Sequence, residues 1–119
     1  MKNPLKGKSF AFALRIVKMY RHFIDNKIEY VLSKQLLRSG TSIGANIRES
    51  QNAQSNADFI HKLSISQKEC DETMYWLELL SKSNYLTEVE FNSVYNDASE
   101  LLKMLKSAII TSKKKGNEL

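Results

Sequence analysis

The chain has 119 residues, the usual length of one domain, and its hydrophobic content of 42% suffices for a single core. Proline occurs once and glycine four times, which favours long helices over strands and turns. No apolar run reaches the roughly 18 residues of a membrane span, and we expect no signal peptide. The single cysteine, Cys70, excludes an intrachain disulfide and a thiolate zinc site. We therefore expect one cytoplasmic domain over residues 1–119.

The net charge of +5 is unevenly distributed along the chain. Residues 1–34 carry +6 and residues 101–119 carry +4, whereas residues 71–100 carry −6. Such a pattern can attract nucleic acid or a complementary subunit, although an ordinary solvated helix surface produces the same pattern.

The first predicted helix spans about residues 9–25, with Ser9 as its N-cap. Apolar residues that recur at helical spacing predict its buried face: Phe10, Ala13, Leu14, Val17, Tyr20 and Ile24.

The second predicted helix spans about residues 29–51. Its apolar stripe is expected to face the core: Leu32, Leu36, Ser39, Ile43, Ile47 and Ser50. Gly40 and Gly44 lie a turn apart inside this helix. Each glycine there costs about 1 kcal/mol relative to alanine, so we expect a neighbour to pack closely against it.

A polar stripe runs beside the apolar stripe of the second helix, at the same helical spacing. It consists of Gln35, Arg38, Ser42, Asn46 and Glu49. Polar groups next to a core need hydrogen-bond partners, and Glu69 and Glu72 are candidates. We favour a buried polar network; the alternative is a small-ligand or metal site built on Asn46, Glu49 and Glu69.

The third predicted helix spans about residues 56–83, after a capping box of Ser55 and Asp58. The fourth spans about residues 88–112, after a capping box of Thr87 and Glu90, and residues 113–119 form a basic, frayed tail. Four helices joined by three short turns predict an all-α fold, an antiparallel up-down-up-down four-helix bundle.

Helices three and four carry more apolar surface than one core can cover. The residues concerned are Trp76, Leu79, Leu80, Met104, Leu105, Ile109 and Ile110. Excess apolar surface usually marks an interface, so we expect a homo-oligomer whose interface includes Trp76, Leu79 and Leu80. A monomer with an apolar surface is the alternative.

Catalytic patterns are weak in this sequence. A di-metal bundle needs Glu-x-x-His on two helices, and the nearest match is a single Asp58-x-x-His61. The run from Gly40 to Gly44 lacks the Gly-Lys-Ser/Thr ending and the preceding strand of a phosphate loop. We therefore expect no enzymatic activity, no metal and no cofactor.

Basic residues provide the strongest indication of a ligand, because phosphate contacts need only positive charge. The predicted nucleic-acid-binding residues are Lys8, Arg15, Lys18, Arg21, Lys113, Lys114 and Lys115, with Lys2 and Lys6 as further candidates. A ring of subunits would repeat these contacts and add avidity.

Residues 35–49 and 58–77 resemble the two motifs of the bacterial 23S rRNA-intervening-sequence protein family, and the similarity covers roughly residues 8–111. The resemblance implies an up-down-up-down bundle that assembles as a ring, commonly a homopentamer, without enzymatic activity. Some members are encoded within inserts in ribosomal RNA genes. A related branch comprises accessory proteins of diversity-generating retroelements, which partner a reverse transcriptase and bind nucleic acid.

The recurrent polar positions of the family map onto this chain as a structural polar network: Arg38, Ser42, Asn46, Glu49, Ser66 and Glu69. Many members have Ala-Glu-Gly after Asn-Ile, whereas this chain has Arg48-Glu49-Ser50, which indicates a variant subgroup.

The leading functional hypothesis is a non-enzymatic, oligomeric bundle that binds nucleic acid, RNA in particular, through basic surfaces. The alternative is a protein-protein interaction scaffold or accessory subunit that does not itself bind nucleic acid.

Overall fold

The computed structural model describes residues 3–117, which form four helices and no strand. The helices are α1 (Pro4–Asp25), α2 (Leu32–Ser50), α3 (Asn56–Lys82) and α4 (Glu88–Asn117). Each helix packs against the next one along the chain, and α1 also packs against α4. Lys8 faces Glu100 and Arg15 faces Asp97, so α1 and α4 are antiparallel. The predicted up-down-up-down four-helix bundle is thus confirmed, in a molecule of 53 × 24 × 21 Å.

The predicted capping box of Thr87 and Glu90 is complete, whereas in that of Ser55 and Asp58 the Asp58 carboxylate accepts from the N–H of Gln54 instead of the cap N–H. Ser55 Oγ accepts a hydrogen bond of 3.0 Å from the backbone N–H of Asp58 at the start of α3. Thr87 and Glu90 bond each other's backbone N–H, with distances of 2.9 and 3.2 Å, at the start of α4. These contacts satisfy donors that a helix N-terminus otherwise leaves free.

The first helix begins at Pro4 and not at residue 9 as predicted. Asn3 is the N-cap, because its side-chain oxygen accepts a hydrogen bond of 3.2 Å from the N–H of Lys6. Pro4 suits the first helical position, where its missing N–H has no partner to lose. Ser9, the predicted cap, is instead a buried helical residue.

The second helix begins at Leu32, about three residues later than predicted. Glu29 takes the place of an N-cap: its carboxylate accepts hydrogen bonds of 2.9, 2.8 and 2.7 Å from the N–H groups of Val31, Leu32 and Ser33. Partial burial raises the pKa of Glu29, but these hydrogen bonds outweigh burial and hold the pKa below its usual value.

The fourth helix extends beyond residue 112, its predicted end, and continues to Asn117. Ile109 and Ser112 are buried on its inner face, and Asn56 Nδ2 donates a hydrogen bond of 2.8 Å to the carbonyl of Ser112. This contact with α3 holds the helix where the sequence predicts a loose tail. Residues 118 and 119 of that predicted tail lie outside the described residues.

One core runs between the four helices. Its fully or nearly fully buried members include Phe12, Ile16 and Phe23 of α1, Leu36, Ile43 and Ile47 of α2, Leu63, Cys70, Leu77 and Leu80 of α3, and Val94, Ala98, Leu101 and Leu105 of α4. The stripe predicted for α2 is confirmed at Leu36, Ile43 and Ile47.

The stripe predicted for the first helix is wrong. Phe10 and Leu14 are 54% and 51% exposed, whereas Phe12 and Ile16 are buried. The helix is apolar around much of its circumference, so two stripes fit the same spacing, and packing selects the one that contains Phe12. Phe10 and Leu14 therefore lie on the surface of the molecule.

The two glycines of α2 lie where α1 packs against it, as expected from the cost of glycine inside a helix. A Cβ on Gly40 would come within 3.0 Å of both γ carbons of Ile16. A Cβ on Gly44 would meet the carbonyl oxygen and hydroxyl of Ser9 at 3.3 Å. The absent side chains let these two helices pack closely.

Two buried hydrogen bonds join α2 to α3. Thr73 Oγ1 and Ser39 Oγ share a hydrogen bond of 3.0 Å, and Ser66 Oγ donates to the carbonyl of Ile43 at 2.8 Å. All three hydroxyl residues are buried, so these bonds lie in a region of low dielectric.

No helix among the described residues combines the length and the apolar character that crossing a bilayer requires.

Candidate nucleic-acid interface

Charge is segregated between the two ends of the bundle. The antiparallel arrangement places the start of α1, the end of α2, the start of α3 and the end of α4 at one end, which we call the basic end. This half of the bundle, residues 3–14, 42–69 and 103–117, contains ten Lys or Arg and three Asp or Glu. The opposite half, residues 15–41 and 70–102, contains seven Lys or Arg and nine Asp or Glu.

Two of the predicted nucleic-acid-binding residues form ion pairs with α4. Lys8 pairs with Glu100. Arg15 Nη1 lies 2.7 Å from Asp97 Oδ2, and the same guanidinium also bonds Ser93. Because a carboxylate already accompanies each cation, the attraction of these two residues for phosphate is reduced.

The remaining predicted residues do not form one surface. Lys18 and Arg21 are exposed but lie toward the end of α1. The distance along α1 from Lys8 to Arg21 is about 20 Å, at 1.5 Å per residue. Lys113, Lys114 and Lys115 are exposed at the basic end, on the last turns of α4, and thus far from Lys18 and Arg21.

A cleft at the basic end contains residues that the sequence analysis missed. The guanidinium carbon of Arg48 lies 5.9 Å from the centre of the Phe10 ring. Lys6 lines the same cleft between α1 and α2, whose volume is about 430 Å³, and an adjoining cavity of about 490 Å³ shares Lys6, Phe10 and Arg48. The apolar spacing of α1 predicts that Phe10 is buried, and Arg48 stands out in the sequence only as a departure from the family motif.

The predicted polar network is only partly assembled. Arg38 pairs with Glu69 at 3.3 Å and with Glu72, whose Oε2 also accepts a 3.0 Å hydrogen bond from the Trp76 indole N–H. This cluster ties α2 to α3 at the surface, because Arg38 is exposed.

The other predicted members of the network bond elsewhere. Ser42 Oγ donates to the carbonyl of Arg38 at 2.6 Å, and Asn46 Nδ2 donates to that of Ser42 at 2.9 Å, so both stay on their own helix. Glu49 pairs with Lys62 at 3.3 Å. Ser66 bonds the backbone of α2 inside the core. The six positions do not form a single network.

The side chains considered for a ligand or metal site point to other partners. Glu49 and Glu69 are engaged by Lys62 and Arg38 respectively. Within residues 3–117, no three His, Cys, Asp or Glu side chains group closely enough to hold a metal ion.

Burial, together with neighbouring Asp71, raises the pKa of the Cys70 thiol to about 12, and its Sγ donates to the carbonyl of Ala98 at 3.3 Å.

The residues predicted for an oligomer interface differ in exposure. Leu80 is fully buried in the core of its own chain, as is Leu105, so their assignment to excess apolar surface was wrong. Trp76 and Leu79 are partly buried and keep some surface. The neighbouring Tyr75 is 57% exposed, and its ring meets that of Trp76 edge-on at 5.1 Å.

These features define a class: a small antiparallel four-helix bundle with one basic end and an exposed aromatic-cationic cleft. Residues 2–107 match the family described as 23S rRNA-intervening sequence protein, and the chain therefore belongs to this family. A similar solved structure is the crystal structure of a protein of unknown function from the S23 ribosomal protein family of Bacteroides thetaiotaomicron. It is 54% identical, covers 88% of this chain and 97% of its own, and has a TM-score of 0.86. No curated protein shows significant similarity.

Proposed function

We propose that this protein is a non-enzymatic, oligomeric bundle of the cytoplasm that binds RNA through its basic end. The observation that carries the proposal is the excess of ten basic over three acidic residues in that half of the molecule. Such a concentration of positive charge attracts polyanions and releases their counterions on binding. The family name refers to 23S rRNA, so RNA is the polyanion to test first.

The test compares two triple variants that remove the same charge from opposite ends. Lys113, Lys114 and Lys115 are changed to Gln in one, and Lys18, Arg21 and Lys34 in the other. All six side chains are exposed, so neither variant disturbs the core. Fluorescence anisotropy with a labelled single-stranded RNA, at a series of salt concentrations, measures affinity and its salt dependence.

The variant of the basic end should bind more weakly, and the slope of log affinity against log salt should fall by up to about 2. The variant of the opposite end should retain the wild-type slope. Equal losses in both variants would contradict a site at the basic end. Absence of binding by the wild-type protein at low salt would end the proposal altogether.

Assembly into a ring, with five copies as the resemblance implies, is part of the proposal because repeated basic ends would increase avidity. Light scattering should then give about five times the 13.7 kDa of one chain. Trp76→Ala should lower this mass if the partly buried indole lies at the interface, whereas Val89→Ala, at an exposed apolar site on α4, serves as the control.

A protein-interaction scaffold is the second candidate, favoured by exposed apolar side chains on α3, on α4 and in two connections between helices: Tyr30, Val31, Tyr75, Tyr85, Val89 and Ile110. In that case the partner, such as a reverse transcriptase, would be retained in a pull-down after nuclease treatment, and the RNA affinity of the isolated protein would be negligible.

A further inference from the structure

We propose that the cleft containing Phe10 and Arg48 is a stacking site for an unpaired base of single-stranded RNA, an inference that rests on the proposed RNA binding and specifies its form. A smooth helix surface with positive charge would bind any polyanion. This cleft adds an aromatic ring, that of Phe10, beside two cations of the basic end, Lys6 and the planar guanidinium of Arg48.

The aromatic ring is placed for stacking by the packing of α1. Phe12 and Ile16 occupy the core face, so Phe10 projects from the molecule and stays 54% exposed. Opposite it, α2 presents Gly44 and Ala45, and the close contact between Gly44 and Ser9 keeps the cleft narrow at its base. The volume of about 430 Å³ is within the range of small-ligand sites.

The charges around the ring are available to a phosphate. Within the described part of the chain, neither Lys6 nor Arg48 has an acidic partner within salt-bridge distance, and Glu49, the carboxylate that lines the cleft, pairs with Lys62. Arg48 can therefore contact a phosphate or stack on a base, as guanidinium groups do in RNA recognition.

The combination selects single strands over duplexes. In a duplex each base is stacked between its neighbours and its faces are inaccessible, whereas a single strand can place a base against an exposed aromatic ring. Stacking depends weakly on base identity, so we expect little sequence preference.

The experiment measures affinity for a labelled 12-nucleotide RNA, single-stranded or in a duplex, at one fixed salt concentration. Phe10→Leu keeps an apolar side chain but removes the ring, and Phe10→Tyr keeps the ring. Tyr30→Leu is the matched control, because it removes an aromatic ring of similar exposure, 51%, from the connection before α2 at the opposite end of the bundle. Light scattering of each variant reports the oligomeric mass.

Phe10→Leu should weaken single-strand binding at least about fivefold and leave duplex binding unchanged, whereas Phe10→Tyr and Tyr30→Leu should bind as the wild type. If the wild type binds RNA but Phe10→Leu has no effect on the affinity, the stacking site is refuted, whereas the proposal that RNA binds at the basic end is retained. If Phe10→Leu changes the oligomeric mass and weakens both RNAs equally, Phe10 lies between copies of the chain and the inference is wrong. If the wild type binds neither RNA, both proposals fail.

Discussion

Alanine at Gly40 should destabilise the protein, although alanine is the better helix former. In an open helix the change would stabilise by about 1 kcal/mol. Here the new Cβ would come within 3.0 Å of Cγ1 and Cγ2 of Ile16 and 3.4 Å of its Cβ. Ile16 is fully buried and β-branched, so every staggered χ1 rotamer leaves at least one γ carbon facing Gly40.

Overpacking of this kind costs about 1–3 kcal/mol, which equals or exceeds the gain in helix propensity. The matched control is Gly7→Ala in α1, where a Cβ would have no neighbour within 4 Å. Gly7→Ala should therefore raise the free energy of unfolding by up to about 1 kcal/mol. The two variants should differ by about 1–3 kcal/mol, or very roughly 4–12 °C in Tm.

Thermal and urea unfolding followed by circular dichroism measure this difference. A double-mutant cycle with Ile16→Ala isolates the contact, since Gly40→Ala should become stabilising once both γ carbons are gone. If Gly40→Ala raises Tm as much as Gly7→Ala does, the close approach of α1 and α2 does not limit the side chain at Gly40, and the reasoning is refuted.

Two further predictions concern titratable groups. The lowered pKa of Glu29 means that this carboxylate contributes stability above its unfolded pKa of about 4.3, and that the contribution is lost as pH falls through the lower folded pKa. Glu29→Gln should therefore lower stability at pH 7 by about 1 kcal/mol and flatten acid unfolding; an unchanged acid profile would show that the carboxylate does not cap α2. Cys70, buried and with its pKa raised to about 12, should resist iodoacetamide at pH 8 until the protein is unfolded by urea; rapid alkylation of the native protein would contradict its burial.

Much of the fold follows from local sequence signals. The N-caps at Ser55 and Thr87 and the single core-facing stripe of α2 each allow one interpretation, and the structure agrees with them. The start of α2 was misplaced because Glu29 caps from outside the helix with a long side chain, a contact that no short motif indicates. The apolar stripe of α1 could not be chosen from its spacing, because only the partners of Phe12 decide which face is buried.

The candidate site was harder to predict than the fold. The sequence shows basic segments at 1–34 and 101–119, but the first of them runs from one end of the bundle to the other. Only the antiparallel packing reveals that Lys8 and Arg15 face the acidic residues of α4, while Lys113 lies at the basic end. The cleft of Phe10 and Arg48 joins two helices and therefore has no counterpart in a local pattern.

The hydrogen bonds of the buried hydroxyl groups between α2 and α3 fix the axial register of the two helices. Hydrophobic contacts are not directional. If α2 shifted along α3 by one turn, about 5.4 Å, its apolar side chains would still contact apolar side chains of α3. Thr73 and Ser66 would each lose a cross-helix partner, at about 0.5–1.5 kcal/mol apiece. The apolar surfaces of α2 and α3 therefore hold the two helices together, whereas the hydroxyl hydrogen bonds determine their alignment. An extra residue in the connection at 51–55 should leave the packing of α2 against α3 unchanged. An extra residue between Ser66 and Thr73 would turn one of the two hydroxyl groups away from its hydrogen-bond partner on α2.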